Sequence, residues 1–381
     1  MEFQPYPFEK IQQLISPIVP KKPVVKLTIG EPQFETPQTI QDALKQNTQD
    51  LRYYPKSKGE EFLHTAIKNF ISHRYNIFLD STNLIPTFGT REVLFNFPQF
   101  FLSQFQNPIM AYPNPFYQIY EGASIASKAK TILMHLEAKN YFKPKLTPQE
   151  MQQAHLVILN SPNNPTGSTL ELKELQQWIE YALEYDFVLL NDECYSEIYQ
   201  NTPPAGILEA SYLMGNKKFK NILSINSISK RLSAPGLRSG YIAGDAKILQ
   251  SYATYRTYLG CAIPTPLQKA ASIAWQAHNE AEKIRKKYAQ NLKIAQEIFP
   301  NLEISPYTFY LWLEVGNDLE FCKKLYEKEG ILVLPGSFLG RENNKKENIG
   351  AGYVRIALVY ESQILQPALK TLKNFLDKGQ Y

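Results

Sequence analysis

The chain has 381 residues, 44% of them hydrophobic and 20% charged, with a formal net charge of +5. That length exceeds one small core and points to two packed units, and the composition is that of a globular chain rather than a disordered one. The lysines lie scattered in pairs such as Lys217-Lys218 and Lys286-Lys287, so nucleic acid is not an expected partner, whereas acidic small substrates would suit the charge.

The opening MEFQPYPFEK has no basic tip followed by an apolar run, and no stretch is long and apolar enough to span a bilayer. The expected location is the cytoplasm, with no membrane partner. Cys194, Cys261 and Cys322 are odd in number and far apart, which argues against a disulfide framework and a zinc site and for packing roles; no metal is expected.

In chain order, the first 45 or so residues are rich in proline and carry no strong sheet pattern, so they are expected to join a smaller domain or reach a partner subunit. From about 83 to 245, strand-like runs (NLIPTFG, NPIMAY, TILMHL, HLVILN, FVLLND, NILSINS, GYIAGD) alternate with amphipathic segments, the pattern of an α/β domain with a largely parallel sheet. The spacing predicts crossover helices over 91–104, where Pro98 is expected to kink the chain, and over 117–127 and 170–185. Residues 266–299 read as one or two helices. Beyond them FYLWLEV, GILVLPG and YVRIALV read as short strands around a helix at 319–329, with a last helix at 362–378. The expected division is a large domain over 46–279, and a small α+β domain made of 280–381 with the N-terminal 1–45. The polar stretch RENNKKENIGAG, residues 341–352, has the composition of a linker.

In open α/β sheets ligands bind beyond the carboxyl ends of the strands, so the residues that follow each run are the candidates. Gly89-Thr90-Arg91 lead into a helix, and their N–H groups would hold a phosphate or simply cap that helix. NNPTG, residues 163–167, is equally a plain turn. Asp192 follows a buried run, where a carboxylate needs a cation or donors; a structural ion pair would satisfy it as well as a ligand would. In SINSISKRLSAPGLRSG, residues 224–240, Lys230 emerges where a strand ends. It reads as a surface lysine, a phosphate-binding lysine, or an amine kept to react with a carbonyl.

Together these residues ask for a ligand with a phosphate, an aldehyde, a basic ring nitrogen and an acidic ring hydroxyl. Pyridoxal 5'-phosphate has all four. Lys230 would take the aldehyde and later carry a proton, and Asp192 would keep the ring nitrogen protonated. Asn164 and Tyr195 would bond the ring oxygen, while Arg238, Ser227 and the Gly89-Thr90-Arg91 turn would hold the phosphate.

The strings S-x-S-K-x-x-x-x-P-G-x-R-x-G, N-N-P-T-G and D-E-x-Y, in this order, resemble those of the class I/II aminotransferases among the fold-type-I pyridoxal phosphate enzymes. The likeness covers nearly the whole chain, including LTIGEPQFETP (27–37), YPKSKG (54–59) and YVRIALV (353–359). It implies a mostly parallel sheet with helices on both faces plus a smaller α+β domain, and catalytic roles for Lys230, Asp192 and Tyr195. It further implies that Gly30 and Arg355 meet the substrate carboxylate beside Asn164, that Tyr117 stacks on the cofactor ring, and that Tyr54 reaches the phosphate of a neighbouring subunit. A homodimer with shared sites follows from the last point.

GTREVLF, NPFYQIYEGA, YRTYLGCAIPTPLQKAASIAW, FYLWLEV and LPGSFLGRE are similar to stretches of the bacterial N-succinyldiaminopimelate aminotransferases of lysine biosynthesis. That likeness implies glutamate with 2-oxoglutarate as one substrate pair and a succinylated acidic keto acid as the acceptor. Arg256 and Arg341 lie in these stretches and are candidates for its distal carboxylates. An aspartate or aromatic amino-acid aminotransferase is the alternative, followed by a pyridoxal phosphate-dependent lyase or a regulator that senses the cofactor. Two departures from the pattern are Phe88 before Gly89 and GEEFLHTA, which lacks the arginine of an L-R-x-A helix.

Overall fold

The computed structural model describes residues 3–379. After the short strand β1 (Val25–Lys26) come β2 (Leu84–Thr87), β3 (Ile109–Asn114), β4 (Lys130–His135), β5 (Leu156–Asn160), β6 (Val188–Asp192), β7 (Ile222–Ser227) and β8 (Gly240–Gly244). The last seven form one sheet in the order β2-β8-β7-β6-β5-β3-β4. Strands β4, β3, β5, β6 and β7 pair in parallel, and β8 lies antiparallel to both of its neighbours. Each of the seven apolar runs in the sequence is one of these strands.

Every residue of β5 and β6 is buried, which is why these runs are apolar up to their carboxyl ends instead of alternating. Their side chains still divide between two cores. Val157, Leu159 and Leu189 pack with Leu175 and Ile179 of the helix Leu172–Glu184. Leu156, Ile158 and Leu190 pack with Val93, Leu94 and Phe97 of the helix Thr90–Leu102 on the opposite face. Helices therefore cover both faces of the sheet. Thr90–Leu102 runs on past Pro98 as one helix.

Four further strands, β9 (Tyr310–Glu314), β10 (Ile331–Leu332), β11 (Leu334–Pro335) and β12 (Tyr353–Ala357), belong to two small sheets. β12 is the centre of an antiparallel β11-β12-β9 sheet, and β10 pairs in parallel with β1. The proline-rich start thus contributes a strand after all, tied to the C-terminal part of the chain. Residues 266–299 resolve into two helices, Thr265–Gln276 and His278–Ile298.

The polar stretch 341–352 is not a linker. The Arg341 N–H donates to Asn114 Oδ1 at 2.8 Å while Asn114 Nδ2 donates to the Arg341 carbonyl at 2.9 Å, so the end of β3 grips it from both sides. A bridge between Glu342 and Asn348 closes the turn, and Gly350 packs so tightly on Gly336 that a side chain at either position would strike backbone. No helix among the described residues is long and apolar enough to cross a membrane.

Candidate active site

Asn160 and Asp192 end β5 and β6 side by side in register, Ser227 ends β7, and Gly89 lies just beyond β2. Over these strand ends opens a cavity of about 830 Å³ whose wall includes Asn164, Asp192, Tyr195, Lys230, Arg238 and Arg355. The fold thus gathers residues from both ends of the chain at the edge where α/β sheets take ligands.

Asp192 is only 4% exposed. Its Oδ2 accepts from the Tyr120 hydroxyl at 2.8 Å and its Oδ1 from the Cys194 N–H at 3.1 Å. Among the described residues no lysine, arginine or histidine lies within ion-pair distance of it. Burial raises its pKa, against the lowering effect of these donors. A buried carboxylate of this kind costs several kcal/mol unless a cation meets it, so the site is shaped for a positively charged group from outside the chain. The structural ion pair weighed from the sequence is absent.

Lys230 stands on the short helix Ile228–Arg231 that follows β7. Its Nζ donates to the Gly30 carbonyl and lies 5.6 Å from the centre of the Phe309 ring. Burial pulls its pKa down to about 8; Arg355 and Arg238 also push down, while Cys194 and Glu31 oppose them. No carboxylate pairs with it among the described residues. Its place in the cavity wall removes the reading of a plain surface lysine.

A second group of donors surrounds the start of the helix Thr90–Leu102. Gly89 caps it with φ +76° and no side-chain bond, which leaves first-turn N–H groups free for an anion. A Cβ at Gly89 would both strain that φ and strike the Arg238 guanidinium, so only glycine brings the turn this close to the cation. Arg238 donates to the carbonyls of Pro235 at 2.8 Å and Phe88 at 3.3 Å, and among the described residues no carboxylate pairs with it. The Ser227 hydroxyl, which accepts from the Ser229 N–H at 3.2 Å, completes the cup.

Across the cavity Arg355 is 4% exposed. It donates to Asn164 Oδ1 and to the Thr28 carbonyl, each at 2.7 Å, and its Nε has no partner. A buried guanidinium with an unused donor and, among the described residues, no carboxylate is built to receive one. Tyr310 lies beneath it, 4.3 Å from guanidinium carbon to ring centre, and its hydroxyl is 3.1 Å from that of Tyr195. Tyr310 also crowds Gly30, where any side chain would collide with it. Tyr120 and Tyr310 lie within the stretches NPFYQIYEGA and FYLWLEV, but the sequence singles out neither of them, although both line the cavity.

The remaining candidates separate. Tyr117 lines the cavity, and its hydroxyl accepts from Arg91 Nε at 2.9 Å. The Arg91 side chain also reaches the Tyr6 hydroxyl at 3.2 Å, so it turns along the cavity wall away from the phosphate cup, to which only its backbone belongs. Tyr54 is wholly exposed and lies outside this chain's cavity. Arg256 and Arg341 do not line the cavity: the first pairs with Glu92 at 2.9 Å and the second with Glu121 at 2.5 Å. Both are committed to internal carboxylates, which corrects their assignment as distal contacts. Cys261 and Cys322 are buried, as packing requires, but Cys194 lies in the cavity wall with Sγ 3.1 Å from Thr90 Oγ1. His64 stands where the L-R-x-A pattern has arginine, and its Nε2 lies 2.8 Å from the Lys58 carbonyl.

The unpaired carboxylate, the amine, the anion cup and the ring-sized space between them fit pyridoxal phosphate, and on this mostly parallel sheet they define a fold-type-I pyridoxal phosphate enzyme. The family model for aminotransferase class I and II matches residues 22–370, and the chain belongs to that family. It is a transaminase that depends on pyridoxal phosphate. The crystal structure of aminotransferase AspB from Helicobacter pylori 26695 superposes with a TM-score of 0.96 at 54% identity, covering 99% of this chain and 100% of that one. An aminotransferase from Neisseria meningitidis Z2491 gives a TM-score of 0.93 at 35% identity, with 98% of each chain covered. The LL-diaminopimelate aminotransferase of Aquifex aeolicus is 29% identical over 96% of this chain and 93% of its own length.

Proposed function

We propose that the enzyme moves the amino group of glutamate to N-succinyl-2-amino-6-oxopimelate, forming N-succinyl-LL-2,6-diaminopimelate. In this reading it works as a cytoplasmic homodimer with shared sites. When bound, pyridoxal phosphate supplies the aldehyde that receives the amino group and the ring that spreads the electron pair left on the substrate α-carbon. Lys230 Nζ removes the proton from that carbon, and its lowered pKa suits an amine that must be neutral to act near neutral pH. Asp192, ionised, would hold the proton on the ring nitrogen, and Asn164 and Tyr195 would bond the ring hydroxyl. Arg355 takes the α-carboxylate through its unused Nε and an Nη donor, beside the Gly30 backbone.

The preference for an acidic acceptor is carried by Arg91. Of the arginines in the cavity wall, Arg355 serves the α-carboxylate and Arg238 the phosphate, which leaves Arg91 with two phenol hydroxyls and, among the described residues, no carboxylate. Its guanidinium is braced in place to meet an anionic group at the far end of a substrate, and the cavity of about 830 Å³ has room for a long acyl chain beside the cofactor. The relatives named LL-diaminopimelate aminotransferase favour a second reading, in which the unacylated diamine is the substrate.

A panel of acceptors with glutamate as donor tests both readings. The succinylated keto acid is expected to have the highest kcat/KM, above the unacylated keto acid, oxaloacetate and phenylpyruvate. Arg91→Gln should lower that value by about tenfold or more, the scale of a charged hydrogen bond, and leave phenylpyruvate unaffected. If oxaloacetate or the unacylated acceptor wins, the succinyl reading fails while the transaminase remains.

A further inference from the structure

Beside the phosphate cup lies a buried ion pair, of which Glu92 reaches the cavity wall and Arg256 does not. Glu92 is in the first turn of the helix Thr90–Leu102, and its side chain is 8% exposed; that of Arg256, at the end of the helix Ala246–Arg256, is 1% exposed. Arg256 Nε donates to Glu92 Oε1 at 2.9 Å and Nη2 to Oε2 at 3.2 Å, a two-pronged clasp. The same Oε2 accepts the Phe88 N–H at 2.7 Å. The carbonyl of Phe88 receives Arg238 Nη2 at 3.3 Å, so the residue before Gly89 is held at its N–H by Glu92 and at its carbonyl by Arg238. Arg256 Nη1 reaches on to the Ser57 carbonyl at 3.1 Å, in the segment that carries Tyr54.

Two physical effects follow from this arrangement. The clasp fixes the carboxylate that fixes the Phe88 N–H, and thereby the left-handed Gly89 turn and its free N–H groups. It also neutralises a carboxylate which, left alone in the first helical turn beside the cup, would repel a phosphate dianion.

We propose that Glu92 and Arg256 are positioning residues for the cofactor phosphate, together holding the Phe88-Gly89 turn in its anion-binding shape and masking the Glu92 charge from the anion. The pair acts on the phosphate and not on the ring, so its removal should separate two ligands that differ only in that group.

The test titrates the apoenzyme with pyridoxal 5'-phosphate and with pyridoxal, following the absorbance change as each binds, in wild type, Arg256→Met and the double variant Glu92→Gln/Arg256→Met. In Arg256→Met the affinity for pyridoxal phosphate should fall by roughly tenfold to a hundredfold, comparable with losing an outer partner of a bound metal, while pyridoxal changes by less than about twofold. The double variant, with no bare carboxylate left, should recover part of the phosphate-specific loss. The proposal is overturned if both ligands weaken equally, if neither weakens, or if the double variant binds pyridoxal phosphate no better than the single one. Should Arg256→Met fail to fold, the double variant decides alone: an unchanged ratio of the two affinities overturns the assignment, and a lowered ratio upholds it.

Discussion

At the scale of single residues, the amine of Lys230 and the carboxylate of Asp192 make separate predictions. With its pKa drawn down to about 8, Lys230 is protonated in the folded apoenzyme below that pH and cannot add to an aldehyde. Capture of pyridoxal phosphate by the apoenzyme should therefore quicken as pH rises through about 8 and level off above it, whereas an ordinary lysine would keep gaining up to about 10.4. Rapid-mixing absorbance across that range checks it; a rate still climbing past pH about 9.5 would remove the burial argument. The sign for stability follows from the same shift. Between about 8 and about 10.4 the unfolded chain binds the extra proton, so the apoenzyme gains stability as pH rises through that window and carries the full burial cost below it. Asp192→Asn keeps the shape and the Tyr120 contact but loses the charge. Turnover should fall by at least about a hundredfold with cofactor binding retained, and near-normal turnover would show that no charge is needed at the ring nitrogen.

At the scale of elements, what was legible follows from burial. Strands β5 and β6 are covered on both faces, so their sequences are apolar as far as Leu159 and Leu190, and a carboxylate just after such a run, Asp192, stands out at once. The reversed β8 between β2 and β7 leaves no such mark, because a strand's composition does not record its direction. Tyr120 and Tyr310 were hidden for a related reason. With 24 tyrosines in the chain, the one that faces the cavity is chosen by the rotation of the helix Ile119–Ala126 or the register of β9, neither of which a motif states. Arg256 looked free for a ligand because its partner Glu92 lies 164 positions away in sequence. The stretch 341–352 reads as a linker because its polar groups answer one another and Asn114 rather than an apolar core. Composition cannot tell satisfied polarity from solvated polarity.

At the scale of the whole molecule, the question is whether one chain suffices. Tyr54 carries a fully exposed ring, away from its own chain's cavity, next to Leu51 and Tyr53, which are 71% and 55% exposed. A soluble chain seldom leaves such rings in water without a use for them, and a second copy of the chain is the partner the family resemblance implies. The phosphate cup offers Arg238, Ser227 and the N–H groups of the helix start, and a phenol from a partner subunit would add a further donor. Mixing two inactive variants tests this. Tyr54→Ala spoils the site to which its tyrosine is lent, and Lys230→Ala spoils the site of its own chain. If the tyrosine crosses the interface, each mixed dimer has one site with the lysine from the first variant and the tyrosine from the second, and co-refolding the two chains restores activity that neither has alone. If Tyr54 serves its own chain, every mixed dimer stays defective at both sites and no activity returns; a monomeric sedimentation profile for the native enzyme would defeat the shared site outright.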